Sequence, residues 1–159
     1  MSGDDIRVAL LADHPTATAD LQRLLESEWP DYYGPEGPGD AAADLAAFAS
    51  RDALPIGVVA LHQDAAIGVA ALKAASIDEC AQYAPWAAAA LVAPAWRRRG
   101  VGAQLILALE ALARRRGDAA LYTGTATAIS LMHRLGWEYL QTAQQGGEAV
   151  AVFRKRLRD

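Results

Sequence analysis

Three consecutive arginines run straight into a Gly-x-Gly: Arg97-Arg98-Arg99-Gly100-Val101-Gly102. Val101, Leu105, Leu109 and Leu112 follow at spacings of about four and three, the pattern of one apolar helix face. A helix therefore starts where the glycines stand. The first amides of a helix have no partner within it, and the aligned peptide dipoles make that end positive. Gly100 and Gly102 lack Cβ atoms and let a ligand come close to the main chain. The arginines add fixed charge and forked donors. Amides from Arg97 to Ala103 in this setting suit a phosphorylated ligand at a helix N-terminus; the plainer reading is a solvated basic turn. A Walker loop is excluded because no Gly-Lys-Ser/Thr is present, and the third glycine of a dinucleotide fingerprint is Leu105 here. A second basic cluster, Arg114 to Arg116, falls at the far end of the same helix, where cations stabilise the dipole without any ligand.

Other groups able to do chemistry are scattered. Glu28, Asp64, Asp78 and Glu79 are the carboxylates available as general bases, each equally readable as a solvated surface charge. Cys80 is the only cysteine. It excludes an internal disulfide and does not suggest a zinc cluster, so no metal is expected. Glu26, Glu28, Trp29, Asp31, Tyr32 and Tyr33 gather acidic and aromatic groups beside a turn-rich loop. Such a set suits a cationic amine by charge and cation–π contact, or simply forms a helix end with a solvated face.

Val92-Ala93-Pro94 followed by Arg97 to Gly102 resembles the Arg-x-x-Gly-x-Gly signature of the GNAT superfamily of N-acetyltransferases. Leu131 to Trp137 resembles the segment ending in Gly-Phe or Gly-Trp that closes that family's second conserved block, and the whole likeness runs from Trp86 to Tyr139. The resemblance implies an α/β fold with a mixed, mostly antiparallel central sheet flanked by helices. It implies acetyl-CoA as co-substrate, with its pyrophosphate on Arg97, Arg98, Arg99, Gly100, Val101, Gly102 and Ala103. It also implies that strand Trp86 to Val92 parts from strand Ala119 to Thr123. The pantetheine arm would lie in that wedge, bonded to amides near Leu91 and Val92, with the alanines at 87 to 90 leaving room for acyl group and substrate.

The reaction implied is direct attack of a neutral amine on the thioester, so Cys80 needs no nucleophilic role. Strand amides would stabilise the oxyanion. Many family members place a proton-donating tyrosine four residues before the closing Gly-Phe or Gly-Trp. Met132 stands there and cannot donate a proton. His133 would point about 100° round the helix. Tyr122 and Tyr139 lie on flanking strands, where they could reach in or pack in the core. The general acid and base are left unassigned. The acceptor is expected to be a small-molecule or peptide amine. Two rival readings are a non-catalytic acyl-CoA sensor of the same fold and an interaction module whose basic turn meets a protein partner.

These residues need positioning. Ile6 to Leu11 reads as a first strand. A helix with Leu21, Leu24 and Leu25 inward follows, capped by Thr16 or Thr18 and ended by Trp29-Pro30. Asp31 to Asp40, rich in glycine and proline, reads as a surface loop. Asp40 caps a helix over Ala41 to Arg51 with Leu45 and Phe48 inward. Ile56 to His62 and Ala66 to Leu72 form a hairpin about Gln63-Asp64-Ala65, with Gly68 marking a bulge or close approach. Ser76 to Pro85 reads as irregular. The alanines of Trp86 to Val92 favour helix, but Pro85 and Pro94 fence a segment short for one, and the resemblance makes it a strand. Then come a helix over Val101 to Arg116 stopped by Gly117, a strand Ala119 to Thr123, a helix Ala126 to Leu135 stopped by Gly136, and a strand Trp137 to Thr142. Gln144 to Gly147 turns into a last strand, Ala149 to Arg154. Hairpins first and alternating β and α later imply a mixed sheet.

The composition agrees. A chain of 159 residues with 53% hydrophobic and 21% charged residues reads as one globular domain. Its net charge of −4 does not favour nucleic acid. Asp4 and Asp5 oppose a signal peptide, and the apolar run from Tyr83 to Trp96 is interrupted by prolines and too short to span a bilayer. A cytoplasmic protein without membrane or nucleic-acid partners is expected, with homodimerisation open.

Overall fold

The computed structural model describes residues 5–158; Asp4, weighed above against a leader, lies outside them. Strand β1 (Ile6–Leu10) leads through two short 3-10 turns into helix α1 (Thr18–Glu28). Neither Thr16 nor Thr18 caps α1: the N-cap position is Ala17, and the preceding turn Pro15–Ala17 starts the helix instead. Trp29-Pro30 ends α1 as expected, but the supposed surface loop then forms a short helix, α2 (Pro30–Tyr33). Proline at the first helical position is preorganised for it, and the Tyr33 hydroxyl anchors it by donating to Asp44 Oδ2 at 2.7 Å. Asp40 caps α3 (Ala41–Phe48) by accepting from Ala43 N at 3.0 Å. That helix stops short of Arg51 because Ser50 folds the chain into a turn, bonding the carbonyl of Ala53.

Strands β2 (Ile56–His62) and β3 (Ala65–Lys73) form the expected hairpin. Gly68 combines both roles read from the sequence. The register slips between Ala60 and Leu61 beside it, and a Cβ there would lie 3.1 Å from Leu91 O. Strand β4 (Trp86–Val92) precedes α4 (Val101–Arg116), β5 (Ala120–Thr125), α5 (Ile129–Arg134), β6 (Glu138–Gln145) and β7 (Glu148–Arg156). Helix α5 begins later than Ala126 because the Thr125 hydroxyl accepts from the amides of Thr127 and Ala128, holding that stretch as a turn. β6 and β7 extend to a two-residue Gly146-Gly147 turn, both with positive φ, the geometry that matches strand twist.

The strand order is β1-β2-β3-β4-β5-β7-β6. Every neighbouring pair is antiparallel except β4–β5, which gives the mixed, mostly antiparallel sheet expected. Because strand residues alternate faces, Val58 and Val59 enter different cores. Val58 joins Leu105, Leu109, Met132 and Trp137 under α4 and α5. Val59 joins Leu21, Leu25, Leu45 and Leu91 under α1 and α3. Residues 74–85, read as irregular, place Ile77 and Cys80 over Trp86, Val150 and Val152 as a third cluster. Among the described residues no helix is long and apolar enough to cross a membrane.

Candidate active site

The arginine–glycine loop is built around the start of α4. After a 3-10 turn at Pro94–Trp96, Arg98 and Gly100 take positive φ of 65° and 81°, and Val101 anchors the helix in the core at 1% exposure. Gln104 N donates to Gly100 O at 3.1 Å. The preceding amides, Val101, Gly102 and Ala103, have no backbone acceptor among the described residues, as the first turn of a helix dictates. Space lies over them: a Cβ built on Gly102 meets nothing nearer than Leu131 Cδ2 at 3.8 Å, and one on Gly100 meets nothing within 4 Å.

The arginines differ in how they are held. Arg97 turns back on the loop, its Nε donating to Val92 O at 3.1 Å and its Nη2 to Glu28 Oε1 at 2.6 Å. Arg99 lies 4.9 Å from the centre of the Trp96 ring, a cation–π distance, and Trp96 in turn packs on His62. Arg98 is exposed. Three arginines thus lead into a positive helix end, an arrangement that favours an anion.

Beside this loop the sheet opens. β4 and β5 share one registered pair, Trp86 and Tyr122, with Tyr122 N donating to Pro85 O at 3.0 Å. One further link follows, a buried hydrogen bond from Thr123 Oγ1 to Ala87 O at 2.8 Å. Beyond it β5 pairs with β7 out to Thr125, while β4 pairs with β3 alone. There β4 carries a bulge: its register with β3 shifts between Val69 and Ala71, and Ala89 takes a positive φ of 56°. Bulges turn a strand aside. Ala93 N bonds Ile67 O on the β3 side, whereas Val92 O takes Arg97 on the other. Successive strand residues turn their main-chain groups to opposite sides, so Val92 faces the parted edge, whereas Leu91, expected to share that role, turns its main chain to Val69 on β3 and its side chain into the core below. Ala88, Ala89 and Ala90, on this stretch of β4, are small and not fully buried.

Among the described residues, none of the carboxylates or tyrosines weighed above is brought with a partner to this opening. Glu28 is taken by Arg97. Glu79 accepts from Gln144 N at 3.0 Å, Asp64 sits in the β2–β3 turn and Asp78 in the 3-10 turn Asp78–Cys80. Met132 is a core residue at 2% exposure; its neighbour His133 points elsewhere, edge-on to Phe153. Tyr122 stacks on Tyr83 at 4.5 Å and Tyr139 bonds Thr142 Oγ1 at 2.7 Å. Burial, and secondarily Glu79, pushes the Cys80 thiol up from its ordinary pKa, which makes it a poor nucleophile.

Of the aromatic–acidic set before Asp40, Tyr33 is buried against Asp44 and its phenol is raised, first by burial and then by that hydrogen bond. Trp29 stacks on Tyr33. Asp31 remains exposed and, with Glu36 (a residue outside the expected set), Pro30, Pro35 and Gly37, lines a cleft of about 610 Å³; Tyr32 stands open nearby at 51% exposure. Three features escape sequence reading: the Glu28–Arg97 pair, which joins residues far apart in the chain, the Thr123 link, and the buried Glu110, which accepts from Trp137 Nε1 at 3.1 Å. Only Glu110 leaves a trace in the sequence, standing next to Leu109 near the apolar face of α4. Among the described residues no group of histidine, cysteine or carboxylate side chains could hold a metal ion.

Comparison with known proteins gives this geometry a lineage. No curated protein sequence matches the chain. Among solved structures, an aminoglycoside 6'-N-acetyltransferase complexed with coenzyme A superposes with a TM-score of 0.77 at 16% identity, covering 96% of this chain and 98% of that one. The structure of yncA from Salmonella typhimurium with its cofactor acetyl-CoA has a TM-score of 0.69 at 22% identity, covering 97% and 94%. The GCN5-related N-acetyltransferase from Rhodopseudomonas palustris has 0.59 at 27%, covering 98% and 97%. Residues 21–137 match the model of the Acetyltransferase (GNAT) family. A signature loop, a parted sheet and a match over most of the chain place this protein in the GNAT acetyltransferase family, which moves acetyl groups from acetyl-CoA to amines.

Proposed function

We propose that acetyl-CoA lies across the start of α4, its diphosphate on the loop Arg97, Arg98, Arg99, Gly100, Val101, Gly102 and Ala103 and its pantetheine arm along β4 at Val92. The single observation that carries this reading is the row of amides at Val101 to Ala103, which have no backbone acceptor among the described residues and over which a Cβ at Gly102 makes only ordinary contacts. Each charge-assisted hydrogen bond to such a donor contributes about 1.5–3 kcal/mol. Arg97 serves by fixing the loop: its side chain is held by Glu28 and Val92 and its amide by the carbonyl of Pro94 at 3.3 Å, so the main-chain donors are those that follow it, while Arg98 and Arg99 supply charge.

The chemistry follows from what the opening offers among the described residues, main-chain donors and no converging acid or base. The amine nitrogen bonds to the thioester carbonyl carbon, the carbon–sulfur bond breaks, and β4 amides hold the oxyanion between. With Met132 in the core, the thiolate takes its proton from solvent, and the amine loses its own to solvent.

We place the acceptor among cationic small-molecule or peptide amines. The acidic cleft at Asp31 and Glu36 and the exposed Tyr32 face support this, and an aminoglycoside, the substrate named for one structural neighbour, belongs among the candidates. The chain acts as a single cytoplasmic domain, alone or as a homodimer. Thiol release from acetyl-CoA over a panel of aminoglycosides, polyamines, amino acids and peptide N-termini tests the reading. Turnover with at least one cationic amine is expected. Silence across the panel with acetyl-CoA still bound would instead favour a sensor.

A further inference from the structure

The parted strands need something to stop them pairing. Parallel strands in register would add rungs two residues at a time. Tyr122 N donates to Pro85 O at 3.0 Å, so the next rung would bring Gly124 N to Ala87 O. That acceptor is occupied by the Thr123 hydroxyl at 2.8 Å. Thr123 is 6% exposed and Ala87 3%, so neither group has water as an alternative, and an orphaned carbonyl here would be costly. Gly124 N–H, on the same side of β5 as that of Tyr122, thus loses this acceptor, while Gly124 keeps its place opposite Val152 in the β7 register. One rung further along, β4 makes its bulge at Ala89 and turns away.

We infer that Thr123 is a positioning residue for the acetyl-transfer reaction: its hydroxyl ends the β4–β5 ladder at Ala87 and fixes how deep the groove between the strands runs. The inference rests on the reading that the pantetheine arm occupies that groove. A threonine serves because its Oγ reaches sideways off the strand, replacing a main-chain donor while β5 keeps its own bonds to β7. Its hydroxyl bonds Ala87 on β4, away from the loop at 97–103, so its influence is expected at the pantetheine and acetyl end of the ligand.

Two ligands separate this role from a merely structural one. Acetyl-CoA spans loop and groove, whereas adenosine 3'-phosphate 5'-diphosphate reaches the loop alone. Thr123→Val, which keeps the shape and removes the donor, is expected to weaken acetyl-CoA binding by about tenfold and leave the nucleotide's affinity unchanged. Retained nucleotide binding also reports that the variant is folded. Thr123→Ser is expected to restore acetyl-CoA affinity. Unchanged acetyl-CoA affinity in Thr123→Val overturns the inference, as does equal loss of both ligands with no rescue by serine. Wild-type protein that binds the nucleotide but gains nothing from the pantetheine arm overturns the groove reading on which this rests.

Discussion

The two ends of α4 carry the same tetrapeptide, Arg-Arg-Arg-Gly, at residues 97–100 and 114–117. Both glycines are left-handed, with φ of 81° and 88°. Yet the ends are opposites. At the C-terminus Gly117 N bonds Arg114 O and Asp118 N bonds Ala113 O, each at 3.0 Å, while Arg116 pairs with Asp118 and Arg114 lies 3.7 Å from Glu110. Cations there meet the negative end of the dipole, worth about 0.3–1 kcal/mol apiece. At the N-terminus the same charges face the positive end, and three amides remain without backbone acceptors. One end is complete in itself; the other is completed by an anion. Helix polarity, not residue type, decides which.

The comparison can be broken most severely at Gly102. Because a Cβ there meets only ordinary contacts and surface substitutions are small in effect, Gly102→Trp is expected to leave the melting temperature within about 2 °C of wild type. It should nonetheless lower acetyl-CoA affinity by at least about a hundredfold, by covering donors worth about 1.5–3 kcal/mol each. Isothermal titration and a thermal melt measure both. Gly100→Ala and Gly117→Ala sharpen the contrast. Each forces a Cβ into the left-handed region, costing about 1–2 kcal/mol of stability. Only Gly100→Ala should weaken acetyl-CoA binding, and equal effects of the two on affinity would show the ends to be equivalent.

A smaller effect belongs to the opposite face of the sheet and serves as a control on both ends. The Tyr33 phenol is raised above its ordinary 10.0 by burial and by Asp44, so the folded state holds this proton more tightly than the unfolded one. The stabilisation is whole below pH 10 and is lost as pH rises above it. Tyr33→Phe should flatten that part of the alkaline stability profile, read by denaturant titration, without changing acetyl-CoA affinity.

Much of this was legible in the residues. Ile56–His62, Trp86–Val92 and Val101–Arg116 run as read, because prolines, glycines and apolar spacing fence them. What was hidden depends on partners distant in sequence or on side chains substituting for main chain. Pro30 permits a helix start but does not require one, and Pro30–Tyr33 is held helical by Tyr33 meeting Asp44; the late start of α5 follows from the Thr125 hydroxyl. In the site, the loop was legible because helix starts advertise themselves through glycine and charge. The opening beside it was expected from family likeness alone, since a bulge at Ala89 and a hydroxyl at Thr123 look, in sequence, like ordinary strand residues. Met132 was read as a departure from a tyrosine pattern, and its burial gives that departure a physical form.

The most direct test is the structure of the protein crystallised with acetyl-CoA. The diphosphate is expected on the amides between residues 97 and 103, with the pantetheine arm between β4 and β5. A diphosphate bound elsewhere, at Arg114 to Arg116 for instance, with the amides of Val101 to Ala103 bonded to protein and the strands closed, would contradict the account.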